Sequence, residues 1–253
     1  VSAAAKWAGF PVLAFDTEST GVDPLNERIV QAALVELHPG QRPVTATYLV
    51  DPGIDIPVEA SEVHGITREH AIANATHTPE QMLFEVSGRI ARWLGQGMPV
   101  VAFNAAYDMT LLEAENMRRG QPTLLDRLGM GKVTPIVDVF VLDKFADPYR
   151  KGGRKLAQVC EHYGVVHAGE HDATADAIAA ARIFPRLMAK HIRKFPGMTL
   201  PALHAEQVKW RRQQADGLRE YFDKKGIEHD GVDPGWPTYL GLQRHYSGQT
   251  VPA

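Results

Sequence analysis

The chain has 253 residues, 44% of them apolar and 23% charged, with a net charge of −3. That is enough for one large domain, or one domain with an extension, and ordinary for a globular protein. It excludes a strongly basic, high-affinity nucleic-acid binder, yet leaves room for an enzyme that grips nucleic acid locally through metal ions.

No apolar run is long enough to span a membrane. The opening VSAAAKWAGF is too short and too weakly apolar for a secretory signal. Cys160 is the single cysteine, which rules out an intramolecular disulfide. The expectation is a cytoplasmic protein with no membrane attachment.

In chain order, Val12 to Phe15 is a continuous apolar run and reads as a strand buried on both faces. Ile29 to Leu37 and Val44 to Val50 read as two further strands joined through HPGQRP, so the first three strands form an antiparallel meander. DPGIDIP reads as a loop. The next helix starts after Thr78 as cap, with Pro79 first and Gln81 three after the cap. Pro99 to Asn104 is a short buried strand leading into the helix AAYDMTLLEAENMRR, and TPIVDVF is a strand turning into a helix. RKLAQVCEHYG is helical and stops at Gly164. A long Ala-rich helix follows with Asp172 as cap and Pro185 as a site of kinking. The pattern predicts an α/β domain, a mixed β-sheet flanked by α-helices, over residues 1–188. Residues 189–253 form a connector and a C-terminal helical extension packed on that domain. In it Leu203, Val208, Ala215, Leu218 and Phe222 form the inner stripe, and Lys209, Arg211 and Arg212 a basic outer face.

Three acidic signals stand out. AFDTEST places Asp16 and Glu18 behind the first strand, and residues two apart share a face, with Thr17 turned away. FNAAYD places Asp108 near the start of a helix, and HDATAD places Asp176 on an otherwise apolar stripe with Ala180, Ile183 and Leu187. Each has an ordinary explanation alone: a surface pair, a partner for the helix dipole, a loop histidine at His171. Together they would repel one another unless divalent cations neutralised them. A pair of metals about 4 Å apart clamps the attacking and leaving oxygens of phosphoryl transfer. A histidine near neutrality takes the proton from the attacking water. His167 and His171 also have a zinc-like spacing, but no suitable companion ligands accompany them in sequence.

FDTEST, FNAAYD and HDATAD, in this order, resemble the three motifs of the DEDDh family of 3′–5′ exonucleases, which includes the proofreading (epsilon) subunit of bacterial DNA polymerase III. The likeness extends to DPGIDIPVEASEVHGIT, IVDVFVLDK and RKLAQVCEHYGV, and covers about residues 10 to 188. It implies a ribonuclease H-like fold. It also implies two divalent cations, Mg²⁺ or Mn²⁺, on Asp16, Glu18, Asp108 and Asp176, with His171 as general base. Thr17, Ser19 and Thr20 would hold the terminal nucleotide, and His64, Phe103 and Asn104 would touch its sugar, base or phosphate. Phe103 as plain core and Asn104 as a helix cap stay open as alternatives.

The implied activity removes nucleoside 5′-monophosphates one at a time from DNA 3′ ends, single strands most readily. The same chemistry on RNA ends or free nucleotides is the alternative within enzymes. A silent end-binding or polymerase-interaction module is the alternative outside them. DNA polymerase association is the expected partnership, although QQADGLREYF carries the residue types of the epsilon clamp-binding motif at the wrong spacing.

Overall fold

The computed structural model describes Trp7 and residues 9–129, 131–167, 169, 172–229 and 231–242. Five strands build the sheet: β1 (Val12–Ser19), β2 (Ile29–Leu37), β3 (Val44–Leu49), β4 (Val100–Ala102) and β5 (Ile136–Asp138). Their order across the sheet is β3-β2-β1-β4-β5. β1/β2 and β2/β3 are antiparallel, as the short loops between them require, whereas β1/β4 and β4/β5 are parallel. Val12, Leu13, Ala14 and Phe15 are all buried, so both faces of β1 are covered. The parallel strands are linked by helical crossovers, and the sheet is the expected mixed one.

The helices are α1 (Val58–His64), α2 (Arg68–Asn74), α3 (Pro79–Gly95), α4 (Ala105–Arg118), α5 (Leu124–Arg127), α6 (Val139–Ala146), α7 (Leu156–Tyr163), α8 (Ala173–Lys190) and α9 (Leu200–Lys225). Thr78 and Gln81 close a reciprocal capping box at the start of α3, with Pro79 in its first turn. Gly164 ends α7 in the left-handed conformation that a side chain would resist (φ 64°). Asp172 caps α8 by accepting the N–H groups of Thr174 and Ala175, and the helix runs on through Pro185 to Lys190. α8 lies against β1, β2 and β4. α1, α2 and α5 were not expected from sequence: at seven, seven and four residues they are too short to show a hydrophobic period.

α9 packs against α6 and β5. The Gln207 side chain enters the sheet edge, accepting the Asp138 N–H at 2.7 Å and donating to the Ile136 carbonyl at 3.0 Å. Trp210 stacks on Phe145, ring centroids 3.7 Å apart. Leu203 and Ala215 are buried on the same face. Arg211 departs from the expected basic outer face. It lies four residues after Gln207 and therefore on the inner side, where it is buried and donates to the Asp233 carbonyl at 2.9 Å. Lys209 and Arg212 remain exposed. Beyond α9 the chain returns to the sheet: Trp236 Nε1–H donates to Asp138 Oδ2 at 3.1 Å, and the Tyr239 N–H to Thr110 Oγ1 at 2.9 Å.

Candidate metal centre

The site is built where β1 outruns its neighbour. β1 pairs with β4 only at Leu13 and Ala14, and β4 ends at Ala102. The N–H groups of Leu13 and Thr17 point to the same edge; Leu13 still finds the Pro99 carbonyl, at 3.1 Å. On the β4 edge Thr17 has no strand opposite, and its N–H is taken instead by Asp108 Oδ1 at 3.0 Å. The Thr17 hydroxyl donates to the same oxygen at 2.7 Å. Thr17 does face away from Asp16 and Glu18, as strand alternation demands, but it is engaged with Asp108 at the strand edge. On the other edge the β1/β2 register slips between Glu18 and Ser19, a bulge of the kind that re-aims side chains beside functional sites.

Asp108 sits in the first turn of α4, with 4% of its surface exposed. The turn that delivers it depends on Asn104, which adopts φ 66°, uncommon outside glycine. The Asn104 side chain makes no cap bond; its backbone N–H donates to Asp138 Oδ1 at 3.0 Å. That same oxygen accepts the N–H groups of Phe140 and Val141, capping α6. Asp138 therefore ties the end of β5, the start of α6 and the bend before α4 to one buried carboxylate. Phe103 is half-buried and packs edge-on against Phe140, centroids 5.6 Å apart.

The third acid comes from α8. Asp16, Glu18 and Asp176 each offer a carboxylate oxygen within 4.8 Å of the others. Asp176 Oδ1 also meets His167 Nε2 at 2.5 Å. His171 lies outside the described residues. The spacing of His167 to His171 points to no partner for it in the sequence; its contact with Asp176, nine residues on, is a product of the fold.

Electrostatics explain what such a cluster needs. Burial pushes the Asp16 carboxyl well above the usual range, and Asp108, Glu18, Asp176 and Asp172 push it further. Glu18 is raised to about 8 by burial and then by Asp176 and Asp108. Asp108 is raised to about 7 by burial, against the pull of its Thr17 hydrogen bonds. The charged groups acting most on Asp16 are thus all acids. Oxygen-only donors, closely spaced and short of positive charge, fit hard divalent cations such as Mg²⁺ or Mn²⁺. The residues present suit such ions.

Beside the acids lies a cavity of about 340 Å³ whose lining includes Glu18, Ser19, Thr20, Gly21, Glu27, Val63 and His64. Ser19 Oγ bonds the Gly21 carbonyl at 2.8 Å and the Tyr107 hydroxyl at 2.5 Å, and the Thr20 hydroxyl donates to Glu27. His64 Nδ1 accepts the Ile66 N–H at 3.1 Å, which holds the ring at the end of α1. The cavity gathers Ser19, Thr20 and His64 next to Glu18; Phe103 and Asn104 are not part of its lining. Tyr107, one helical position before Asp108, fixes the cavity wall and was not singled out in the sequence. Its signal was only its place inside FNAAYD.

The chain matches the exonuclease family RNase_T over residues 13–184. It is 29% identical over 169 residues to a PolC-type DNA polymerase III of Clostridium perfringens, covering 67% of this chain and 10% of that protein. It is 30% identical over 179 residues to a DNA polymerase III subunit epsilon-like protein of Rhodobacter capsulatus, covering 69% of this chain and 23% of the relative. The chain therefore spans less than a quarter of the length of either relative. Among solved structures, Escherichia coli exonuclease I in complex with a dT13 oligonucleotide superposes with a TM-score of 0.60 at 16% identity. The match covers 74% of this chain and 42% of that one. A zinc-bound form of that enzyme with single-stranded DNA gives 0.59 at the same 16% identity. The fold is ribonuclease H-like, as the motifs led one to expect.

Proposed function

Because the chain belongs to the exonuclease family RNase_T, we propose that it is a 3′–5′ exonuclease of the DEDDh type. It would hydrolyse DNA one nucleotide at a time from the 3′ end and release nucleoside 5′-monophosphates. The observation that carries the reading is the convergence of Asp16, Glu18 and Asp176, with Asp108 pinned by Thr17 alongside, next to a nucleotide-sized cavity.

In this reading Asp16, Glu18, Asp108 and Asp176 hold two divalent cations, Mg²⁺ or Mn²⁺. When bound, these cations neutralise the phosphate and lower the pKa of a water. His171 takes the proton of the water that attacks phosphorus, and the bond from phosphorus to the 3′ oxygen of the preceding nucleotide breaks. The departing 3′ oxygen takes a proton from solvent, so the new strand end carries a 3′ hydroxyl. Ser19, Thr20 and His64 position the last nucleotide in the cavity, while Thr17 acts on the reaction by orienting Asp108. Phe103 and Asn104 shape the start of α4, and contacts from them to the strand end are part of the same proposal.

The bound oligonucleotide in the exonuclease I structure supports a single-stranded substrate. The polymerase III names of the relatives support association with a DNA polymerase and a cytoplasmic place of work. No helix among the described residues is long and apolar enough to cross a membrane.

The test is a time course on 5′-labelled single strands, DNA and RNA of one sequence, with Mg²⁺, Mn²⁺ or EDTA. A metal-dependent ladder that shortens from the 3′ end, faster on DNA, is expected. A faster RNA ladder would move the substrate to RNA. Intact strands throughout would overturn the reading and leave nucleotide hydrolysis or end-binding.

A further inference from the structure

Away from the acidic centre, a second group of metal-ligating side chains comes together from three elements. Asp147 directly follows α6, His162 lies in the last turn of α7, and His191 directly follows α8. Each offers a ligand atom within 4.8 Å of the other two, and all three are half-buried. Along α8 the fourteen residue steps from Asp176 to Lys190 span about 21 Å, so this group is remote from the carboxylate centre.

We propose that Asp147, His162 and His191 form a second metal site, of two imidazoles and one carboxylate, for a borderline transition metal of the Zn²⁺ class. Imidazole donors suit Zn²⁺ and its neighbours rather than Mg²⁺, and three protein ligands leave a fourth position for water. The ligand atoms around tetrahedral zinc lie about 3.3 Å apart, for bonds of about 2.0–2.1 Å. The ligand atoms, at most 4.8 Å apart now, close by about 1.5 Å or less to reach that spacing, with Lys190 moved off His162.

Two further observations point to a cation here. His191 Nε2 is buried without a hydrogen-bond partner among the described residues. The Lys190 ammonium donates to His162 Nε2 at 2.8 Å, so that nitrogen presents its lone pair and already receives a positive charge. Lys190 is exposed on a flexible stem; its ammonium also reaches the His162 carbonyl at 3.5 Å and lies over the Tyr163 ring at 5.2 Å, contacts it gives up when a metal takes the His162 nitrogen. The rings are held in place by Tyr163, which lies edge-on to His162 (4.7 Å) and to His191 (6.1 Å). Tyr163 is itself anchored by donating to the buried Asp143, at 2.9 Å. Asp143 is paired with Arg150 and Arg154. A metal here would clasp the ends of α7 and α8, between which the chain carries His167 and His171.

The test titrates Zn²⁺ into the full chain by calorimetry in excess Mg²⁺, which occupies the carboxylate centre, and repeats the titration with Co²⁺ by visible absorption. One equivalent is expected, with four-coordinate Co²⁺ bands. His162→Gln and His191→Gln should each weaken Zn²⁺ by at least about tenfold, the scale on which even outer-shell losses act. Lys190→Ala, a surface change that frees His162 Nε2, should tighten it, and Asp16→Asn should leave it unaltered. No binding in excess Mg²⁺ would overturn the proposal. So would binding lost with Asp16→Asn, or binding indifferent to the histidine and lysine changes. Circular dichroism of each variant guards against loss of fold, and the Lys190→Ala result stands should a histidine variant unfold.

Discussion

Thr17 and Asp108, 91 residues apart, meet twice at one oxygen: the backbone N–H at 3.0 Å and the hydroxyl at 2.7 Å both donate to Asp108 Oδ1. The pair locks the first turn of α4 to the end of β1, and it leaves the second carboxylate oxygen free of both donors. Thr17→Val keeps the shape and removes one donor to a buried acid. Hydrogen bonds to charged groups contribute about 1.5–3 kcal/mol, so turnover at limiting Mg²⁺ is expected to fall by roughly 10- to 100-fold. Saturating metal should recover part of the loss. Steady-state rates across a Mg²⁺ series check this; a wild-type curve would mean that the hydroxyl does not orient Asp108.

The raised carboxyls predict how stability follows pH. Glu18 (about 8) and Asp108 (about 7) hold protons in the folded, metal-free chain that the unfolded chain has already released above about pH 4. Their stabilising contribution is complete below that point and is lost as pH rises through about 7 to 8. In EDTA, Tm should fall by roughly 5 °C or more between about pH 5 and about pH 8.5. Binding of Mg²⁺ expels the same protons, so the Mg²⁺-induced rise in Tm should grow over that window. A Mg²⁺ shift independent of pH would contradict the assignment.

Activity and stability should separate at Asp16. Asp16→Asn replaces a buried carboxyl whose ionisation is opposed by burial and by the acids around it, and turnover is expected to vanish with the fold intact. In EDTA at about pH 8 the folded chain no longer has to keep that acid protonated, and a gain of about 1 kcal/mol should raise Tm by roughly 2–4 °C. Thermal scans and the gel assay on one preparation test both halves. Asp108→Asn should likewise abolish turnover, and wild-type rates in either variant would end the metal-centre reading.

Two histidines close in sequence carry different expectations. His171→Ala should slow hydrolysis by roughly 10²–10⁴-fold while leaving metal binding in place, the usual worth of a general base. His167 contacts Asp176 at 2.5 Å, and His167→Ala should raise the metal concentration needed for half-maximal rate by roughly 10- to 100-fold, with a smaller loss of kcat at saturating metal. If the large loss falls on His167→Ala instead, the base is His167. Calorimetric metal titration of both variants completes the comparison.

How much was readable beforehand differs from one residue to the next. The first strand, the caps at Thr78 and Asp172, and the stop at Gly164 all follow from local rules; the structure has each of them and carries the strand on from Phe15 to Ser19, so that it includes both acids. α1 and α2 were missed because two short, mostly exposed helices leave no apolar period. The contact of His167 with Asp176 and the inward turn of Arg211 depend on how distant elements dock. Asp138 sits where TPIVDVF turns from strand to helix, and nothing local in that stretch shows how far its carboxylate reaches. Its bonds to Asn104 and Trp236 join residues 34 and 98 positions away, and no spacing rule reaches that far.

Trp236 offers a test of that linkage. Trp236→Phe keeps an aromatic ring and removes its Nε1–H from Asp138 Oδ2. The expected loss is about 1.5–3 kcal/mol of unfolding free energy, measured by urea denaturation with Mg²⁺ present. An unchanged midpoint would show that water replaces the indole.

Asp138 also bears on any attempt to dissect the molecule. A fragment cut where the exonuclease match ends, at residue 184, would keep the four acids yet lose Gln207, which caps the β5 edge, and Trp236, which faces Asp138. It would strip the Trp210 ring from Phe145 and expose the sheet edge that α9 covers. The shortest stretch that retains the enzyme's shape therefore extends beyond its family signature, and the stretch from Leu200 to Leu242 is a missing wall rather than a removable appendage.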